Sequence, residues 1–351
     1  MSSMARIVGT AAGAVLLLAA WLPLAGCSVS VAIGEEDGGG GGDGGASQAE
    51  ALDATASALD TLMLLAGPGL GIADEPARLP AQETPPRALA ASLLEWVEFA
   101  APRRDGAVAV SGGRFVADQT VACDSGSVRI LARFVNRVRF EPGDTVELST
   151  QTCRRGSLRF SGSLTLRAVR MNGYPGISGT WDGRVGVDLS AWRTSTAALP
   201  LQSVAATGSV TLDARRDGPF EFALGLDSAQ LALDPSSADR DRPRRTLESL
   251  QLDIDATAAT QTVTADWQLV DAAFSDAALR RLRVQTMGAL TQGRAPPAYP
   301  LGRLTVRFAD DGVVYAEALD AARLRLEIDR NGNGSIDSTR STSWGELRGR
   351  L

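Results

Sequence analysis

The stretch LRFSGSLTLRA, residues Leu158–Ala168, decides the fold class. Its apolar and polar side chains alternate, so that every second residue would face the same side of an extended strand. Similar runs recur along the chain, for example at Val204–Leu212, Leu250–Ile254 and Leu324–Ile328. This pattern is typical of antiparallel sheets with one buried face and one solvated face. We therefore predict a mainly β domain over residues 106–351, built on a large antiparallel sheet.

The apolar face of such a sheet needs a cover. Three arrangements would cover it: a second sheet packed against it in a sandwich, curling of the sheet into an open or half barrel, or helices docked on it. Residues 47–105 favour one or two N-terminal helices. Ser47 and Glu50 have the spacing of a capping box, and the apolar spacing that follows is helical up to Gly67. A second helix is predicted over Arg87–Phe99, and we expect both helices to dock on the sheet.

Composition restricts the chemistry of this 351-residue chain. It contains no His, and all 35 basic residues are Arg. Because Arg stays protonated near neutral pH, the chain cannot build a Ser–His–Asp or Cys–His pair, a Schiff-base Lys or a His-ligated zinc site. The formal net charge of -6 disfavours nucleic acid as a partner, since phosphate binding needs clustered positive charge.

The N-terminus has the features of an export signal. Residues 1–26 carry an uncharged apolar run, Ile7–Leu24, that ends in small residues before Cys27. The sequence LAGC at 24–27 resembles the lipobox of bacterial lipoproteins. That resemblance implies cleavage before Cys27 and acylation of its thiol, palmitate included, so that lipid anchors the chain to a membrane. Ser28 follows where proteins retained at the inner membrane tend to carry Asp, which implies the outer membrane, facing the periplasm or the cell surface.

A flexible tether is predicted between the lipidated cysteine and the folded part, over residues 27–46. Gly34–Gly45 is almost entirely glycine with a few acidic residues. Such a composition cannot bury a core and favours an extended, solvated chain.

Two further cysteines, Cys123 and Cys153, are predicted to form a disulfide. An exported chain meets an oxidising compartment, where spare thiols usually pair. The alternatives are a redox pair or a metal site. Both are disfavoured because the spacing differs from Cys-x-x-Cys and no His is present.

The stretch DRNGNGSID, residues Asp329–Asp337, resembles the first nine positions of an EF-hand calcium loop. The resemblance implies a Ca²⁺ ion held by oxygen ligands, and the residues in question are Asp329, Asn331, Asn333, Ser335 and Asp337. No other cofactor is expected.

The resemblance is incomplete at its end. The twelfth position is Arg340, where the family carries a bidentate Glu, so that Glu346 or a water would have to complete the shell. The alternative is a bare hairpin turn after the strand Leu324–Ile328, because Asn-Gly favours the left-handed turn conformation.

No catalytic signature stands out, so we expect a non-enzymatic envelope lipoprotein with a binding or structural role. Its partners would be the membrane, through the lipid, and a protein or cell-wall component. One alternative is a carrier of a lipid-like apolar ligand, similar in style to the half-barrel lipoprotein chaperones of the periplasm. Another is a hydrolase that uses two carboxylates, which would need two acids about 5–10 Å apart in a cleft.

Overall fold

The structure, a computed structural model, describes residues 46–66, 89–100, 108–137, 140–156, 158–175, 179–196, 202–219, 221–237, 243–293, 301–320 and 322–350. The predicted signal, Cys27 and nearly all of the tether lie outside the described residues. So do Gly67 and the first two residues of the second predicted helix. The described helices and strands all fall within one compact unit, residues 43–351.

The described chain contains two helices near its N-terminus, then a long series of strands with two short helices among them. Their order along the chain is α1 (Gln48–Ala66), α2 (Leu89–Ala100), β1 (Val108–Ser111), β2 (Arg114–Ala122), β3 (Ser125–Phe134), β4 (Thr145–Arg155), β5 (Leu158–Gly173), β6 (Trp181–Thr196), β7 (Gln202–Arg216), β8 (Phe222–Ser237), β9 (Arg245–Ala256), β10 (Thr260–Asp271), α3 (Ala277–Arg280), β11 (Arg281–Thr286), β12 (Leu290–Gly293), β13 (Gly302–Arg307), β14 (Val313–Ala318), β15 (Arg323–Asp329), β16 (Ser338–Ser343) and α4 (Trp344–Gly349).

The strands form one antiparallel sheet in which spatial order follows chain order. Each strand from β1 to β10 pairs with its chain neighbours, and the order continues through β11, β13, β14, β15 and β16. β12 lies beside β10, where it extends the line of β11. The sheet is not closed. The predicted fold class is confirmed in its open form: a mainly β chain with one large antiparallel sheet and two helices near the N-terminus.

The predicted alternation separates the two faces of the sheet. In β10, every second side chain is buried from Gln261 to Asp271, and the side chains between them are half-buried or exposed. We call the face that carries the buried side chains the inner face and the other the outer face. Side chains of the inner face form one continuous apolar core with those of α1 and α2. The helices therefore cover at least part of the inner face.

Helix α1 begins as predicted. The Ser47 backbone N–H donates to Glu50 Oε2 at 2.7 Å, and the Glu50 N–H donates to Ser47 Oγ at 3.3 Å, which is the reciprocal pair of a capping box. α1 contacts β10, β13 and β14 of the sheet, and also α2 and α4. Within the described residues, no helix has both the length and the apolarity needed to cross a membrane.

Paired bulges interrupt the long strands β5 and β6. The register shifts between Ser161 and Ser163 on β5 and between Leu189 and Trp192 on the β6 side. Gly162 has a φ of 99°, and a Cβ added there would overlap the carbonyl oxygen of Ala191, so only glycine fits.

An aromatic cluster lies on the inner face next to these bulges. Trp192 lies 5.3 Å from Trp96 of α2 and 6.0 Å from Phe160 of β5, measured between ring centroids. Trp96 also packs edge-on against Phe160 at 5.1 Å. These contacts seat α2 on β5 and β6 in the favoured edge-to-face geometry.

Candidate functional site

The predicted disulfide is present in the structure. Cys123 and Cys153 are bonded, with their Cα atoms 5.5 Å apart. The bond links the turn between β2 and β3 to the C-terminal part of β4, next to bulges that interrupt the β3–β4 and β4–β5 pairing. Cys153 is fully buried. The bond is therefore placed as a structural cross-link between neighbouring strands.

A buried ion pair fixes α2 to the inner face. Arg216, at the end of β7, donates from Nε to Glu98 Oε1 and from Nη2 to Glu98 Oε2, the second at 3.0 Å. Trp181 Nε1 donates to the same carboxylate at 3.2 Å, while Arg216 Nη1 donates to the carbonyls of Gly218 and Pro219. Burial raises the pKa of Glu98 above its ordinary value, and the hydrogen bond from Arg216 opposes that rise.

A second buried network fixes α1 to the sheet. Arg245, at the start of β9, donates from Nη1 to Asp60 Oδ2 and Thr61 Oγ1 of α1. Its Nε lies 3.4 Å from Asp271 Oδ2, at the end of β10, and Ser57 of α1 donates to the same carboxylate oxygen. The network is thus shared between one helix and two adjacent strands.

Sequence analysis missed these charged anchors, although a signal for them exists. Arg216 lies at an inner-face position of β7, two residues after Ala214 and four after Leu212. Arg245 likewise lies two residues before the buried Leu247 of β9, and Asp271 lies two residues after the buried Leu269 of β10. A charged side chain at a position where alternation demands an apolar one indicates a buried partner.

The outer face is polar and crossed by ion pairs between neighbouring strands. Examples are Arg129–Asp118, Arg133–Glu147, Arg184–Asp213, Arg283–Asp266 and Arg325–Glu317. Most of these side chains are substantially exposed, so each pair adds little to stability. Their main effect is to give the outer face a regular pattern of opposite charges.

Negative charge is concentrated at one place on the outer face, which we call the acidic patch and define as Asp213, Asp227, Asp253 and Asp255. Gly225 of β8 lies between Asp213 of β7 and Asp253 of β9 in the cross-strand register. Because Gly225 has no side chain, the surface is depressed there. The depression has a volume of about 570 Å³, and its lining includes three of the four patch aspartates.

The aspartates of the patch influence one another. The pKa of Asp253 is raised by partial burial and then by the negative charges of Asp227, Asp255 and Asp213. Asp213 differs because its Oδ2 accepts hydrogen bonds from Arg184 Nε at 2.9 Å and Nη2 at 2.7 Å. A cation placed over the patch would relieve the repulsion among its carboxylates.

The predicted calcium loop joins β15 to β16 at one edge of the sheet. Four backbone N–H groups of the loop donate to its side-chain oxygens: Arg330 to Asp337 Oδ2, Asn333 to Asn331 Oδ1, Gly334 to Asp329 Oδ2 and Ser335 to Asn333 Oδ1, at 2.7 to 3.1 Å. The fold therefore brings the predicted aspartates and asparagines together in one loop, whereas Ser335 is connected to it through its backbone N–H.

Glu346, which was suggested to complete the calcium shell, is hydrogen-bonded to Arg340 and Thr342. Glu346 Oε1 accepts from Arg340 Nη2 at 2.6 Å, and its Oε2 accepts from Thr342 Oγ1 at 2.8 Å. Both carboxylate oxygens are thus engaged within β16 and α4. Over the described residues, no group of three or more acidic, His or Cys side chains is arranged to hold a metal ion. A cation in the loop would therefore depend on amide and water oxygens as well as carboxylates.

The chain was also compared with known proteins. No protein-family model, no curated protein and no solved structure matches it.

Proposed function

We propose that this chain is a lipid-anchored envelope protein with a non-enzymatic binding role, and that it contacts its partner through the outer face of the sheet. The supporting observation is that α1 and α2 pack on the inner face and are fixed there by Glu98–Arg216 and by the Asp60–Arg245 network. Carrying an apolar ligand against the part of the inner face that the helices cover would require these charged anchors to separate. The outer face is open to contact without any rearrangement.

The charge of the outer face indicates the chemistry of the partner. The acidic patch lies on β7–β9, where partial burial and then the negative charges of Asp227, Asp255 and Asp213 raise the pKa of Asp253. Cationic groups would remove that repulsion and gain Coulomb attraction, which mainly raises the rate of association. The partner that this surface fits is a polypeptide segment rich in Arg or Lys.

Binding can be tested with the purified full-length protein in detergent and an oligoarginine peptide. We expect binding that weakens steeply with salt and falls at least tenfold in a triple variant, Asp227→Asn, Asp253→Asn and Asp255→Asn. The matched control carries the same charge change at three exposed aspartates elsewhere, Asp118→Asn, Asp217→Asn and Asp320→Asn. Equal loss of binding in the two triple variants would refute a localised site.

Anchoring is tested separately from binding. The expected mature N-terminus is acylated Cys27, which mass spectrometry of membrane-extracted protein would detect as added acyl mass. Cys27→Ala should leave the protein unlipidated. Recovery of unmodified Cys27 from the membrane fraction would overturn the anchoring proposal and leave the binding result intact.

A carboxylate-pair hydrolase is a second candidate, favoured by the raised pKa of Asp253. Asp213 and Asp253 border the same depression, because a Cβ built on Gly225 would lie 3.5 Å from Asp213 Cβ and 3.3 Å from Asp253 Oδ1. Hydrolysis of chromogenic glycosides that disappears in Asp253→Asn and persists in Asp217→Asn would establish this activity. Equal rates in both variants would exclude Asp253 as its acid.

A further inference from the structure

Asp329 has a carboxylate oxygen with no partner. The residue ends β15 and is 1% exposed, and its Oδ2 accepts the Gly334 N–H at 2.7 Å. Its Oδ1 is buried and makes no hydrogen bond within the described structure. A buried, unsatisfied carboxylate oxygen is costly, so its position at the start of a loop rich in side-chain oxygens calls for a positive partner.

The loop above Asp329 is held in shape by its own backbone. The N–H groups of Arg330 and Ser335 donate to Asp337 Oδ2 at 2.7 Å and to Asn333 Oδ1 at 2.8 Å. The Asp337 N–H donates to the Ile328 carbonyl at 2.8 Å, which closes the base of the loop. With the bonds from Asn333 N–H to Asn331 Oδ1 and from Gly334 N–H to Asp329 Oδ2, they hold four side-chain oxygens of the loop in place before any ion arrives, which lowers the ordering cost of binding.

The turn between β13 and β14 packs against this loop. A Cβ added at Gly332 would overlap the carbonyl oxygen of Asp311, and one added at Gly312 would lie 2.9 Å from the Arg330 carbonyl and 3.4 Å from Asp310 Oδ1. The two glycines thus let the two turns approach backbone to backbone. Asp310 and Asp311 add two negative charges beside the loop, where Arg330 is exposed.

We propose that the 329–337 loop binds one Ca²⁺ ion, which joins the β15–β16 loop to the β13–β14 turn at this edge of the sheet. Asp329 Oδ1 supplies the charged ligand that has no other partner, with Asn331, Asn333 and Asp337 as the remaining side-chain ligands and water completing the shell. Hard oxygen ligands in a flexible loop suit Ca²⁺ better than Mg²⁺, which demands near-ideal octahedral geometry. Sites of this kind without sulfur or imidazole do not select transition metals.

Position 340 carries Arg where an EF-hand loop carries a bidentate Glu, and this lowers the calcium affinity that we expect. One bidentate carboxylate fewer places the affinity near that of extracellular calcium modules, with a Kd of about 0.1–1 mM. The site would be filled where calcium is millimolar. This inference does not rest on the proposed binding function.

The test is calorimetric titration of the chelator-treated, full-length protein with CaCl₂ and, separately, with MgCl₂. We expect one Ca²⁺ site of submillimolar to millimolar Kd and a rise in Tm of about 2 °C or more at saturating calcium. Asp329→Asn should weaken binding at least tenfold and abolish the Tm rise. Asp217→Asn, which makes the same charge change in the β7–β8 turn, should bind as the parent does.

A second variant keeps the proposal testable if Asp329→Asn fails to fold. Asn331 is exposed, so Asn331→Ala should fold normally and still lose several-fold in calcium affinity. If titration of the parent protein with CaCl₂ produces no binding heat and no shift in Tm, the proposal is overturned. Parent-like calcium binding in both loop variants, or binding of Mg²⁺ as tight as that of Ca²⁺, would overturn it as well.

Discussion

Arg216 of β7 and Glu98 of α2 form a two-point ion pair whose side chains are 0% and 4% exposed. The pair lies at the inner face, with Trp181 and two backbone carbonyls completing its hydrogen bonds. A buried pair of this kind need not add net stability, but removing one partner leaves the other charge buried and uncompensated.

Replacing Glu98 alone should therefore be costly. We expect Glu98→Ala to lower the free energy of unfolding by about 3–5 kcal/mol, measured by urea denaturation. A double variant, Glu98→Leu with Arg216→Met, should recover most of that loss because both charges are removed. If Glu98→Ala unfolds at the parent's urea midpoint, the pair does not anchor α2.

Loss of the disulfide should destabilise the sheet near β2–β4. Cys123 and Cys153 are 30 residues apart, and a cross-link over that separation contributes about 3–4 kcal/mol in the chain-entropy model. We expect the double variant Cys123→Ser, Cys153→Ser to show a correspondingly lower urea midpoint. Reducing agent should lower the midpoint of the parent and leave that of the double variant unchanged.

Gly162 should not tolerate a side chain. Its positive φ and the overlap of an added Cβ with Ala191 predict that Gly162→Ala costs about 2 kcal/mol or more in unfolding free energy. Gly218→Ala is the matched control, because a Cβ there meets nothing within 4 Å. Equal unfolding midpoints for these two variants would contradict the bulge geometry.

The acidic patch should make stability depend on pH in a defined direction. The pKa of Asp253 is raised in the folded state, so its contribution is fully present below the ordinary value of 3.8 and is lost as pH rises through the raised pKa. The variant Asp253→Asn cannot ionise at this position, so its stability does not fall in this way as pH rises.

The variant should have a slightly higher Tm than the parent at pH 7 and an equal Tm at pH 3. The gain should stay well under about 1 kcal/mol, because solvent screens the exposed side chain. A lower Tm at pH 7 would show that the Asp253 carboxylate is stabilised by neighbours rather than repelled by them.

The fold class could be read from the sequence because its signal is local. The alternation in Leu158–Ala168 depends only on adjacent residues, and the Ser47–Glu50 capping box spans four positions. The proposed calcium loop is likewise a continuous stretch, so its candidate ligands can be listed from the sequence alone.

The acidic patch could not be read in this way. Its members belong to three strands, and only the cross-strand register places Asp213 and Asp253 on either side of Gly225. That register depends on bulges, such as the one between Ser209 and Thr211, which alternation alone does not reveal. The helix partners of Arg216 and Arg245 could not be read from the sequence either, since they lie more than 100 residues away along the chain.

The order of the strands in the sheet, which follows the chain, affects how the molecule folds. A chain that emerges N-terminus first can add each strand to the one before it, so sheet growth needs only nearby partners. Helix α1 is an exception, since it is made first but contacts β9, β10, β13 and β14, which are made much later. The part of its surface that faces the sheet therefore stays uncovered until these strands are present, and the docking of α1 on the sheet becomes a late step of folding.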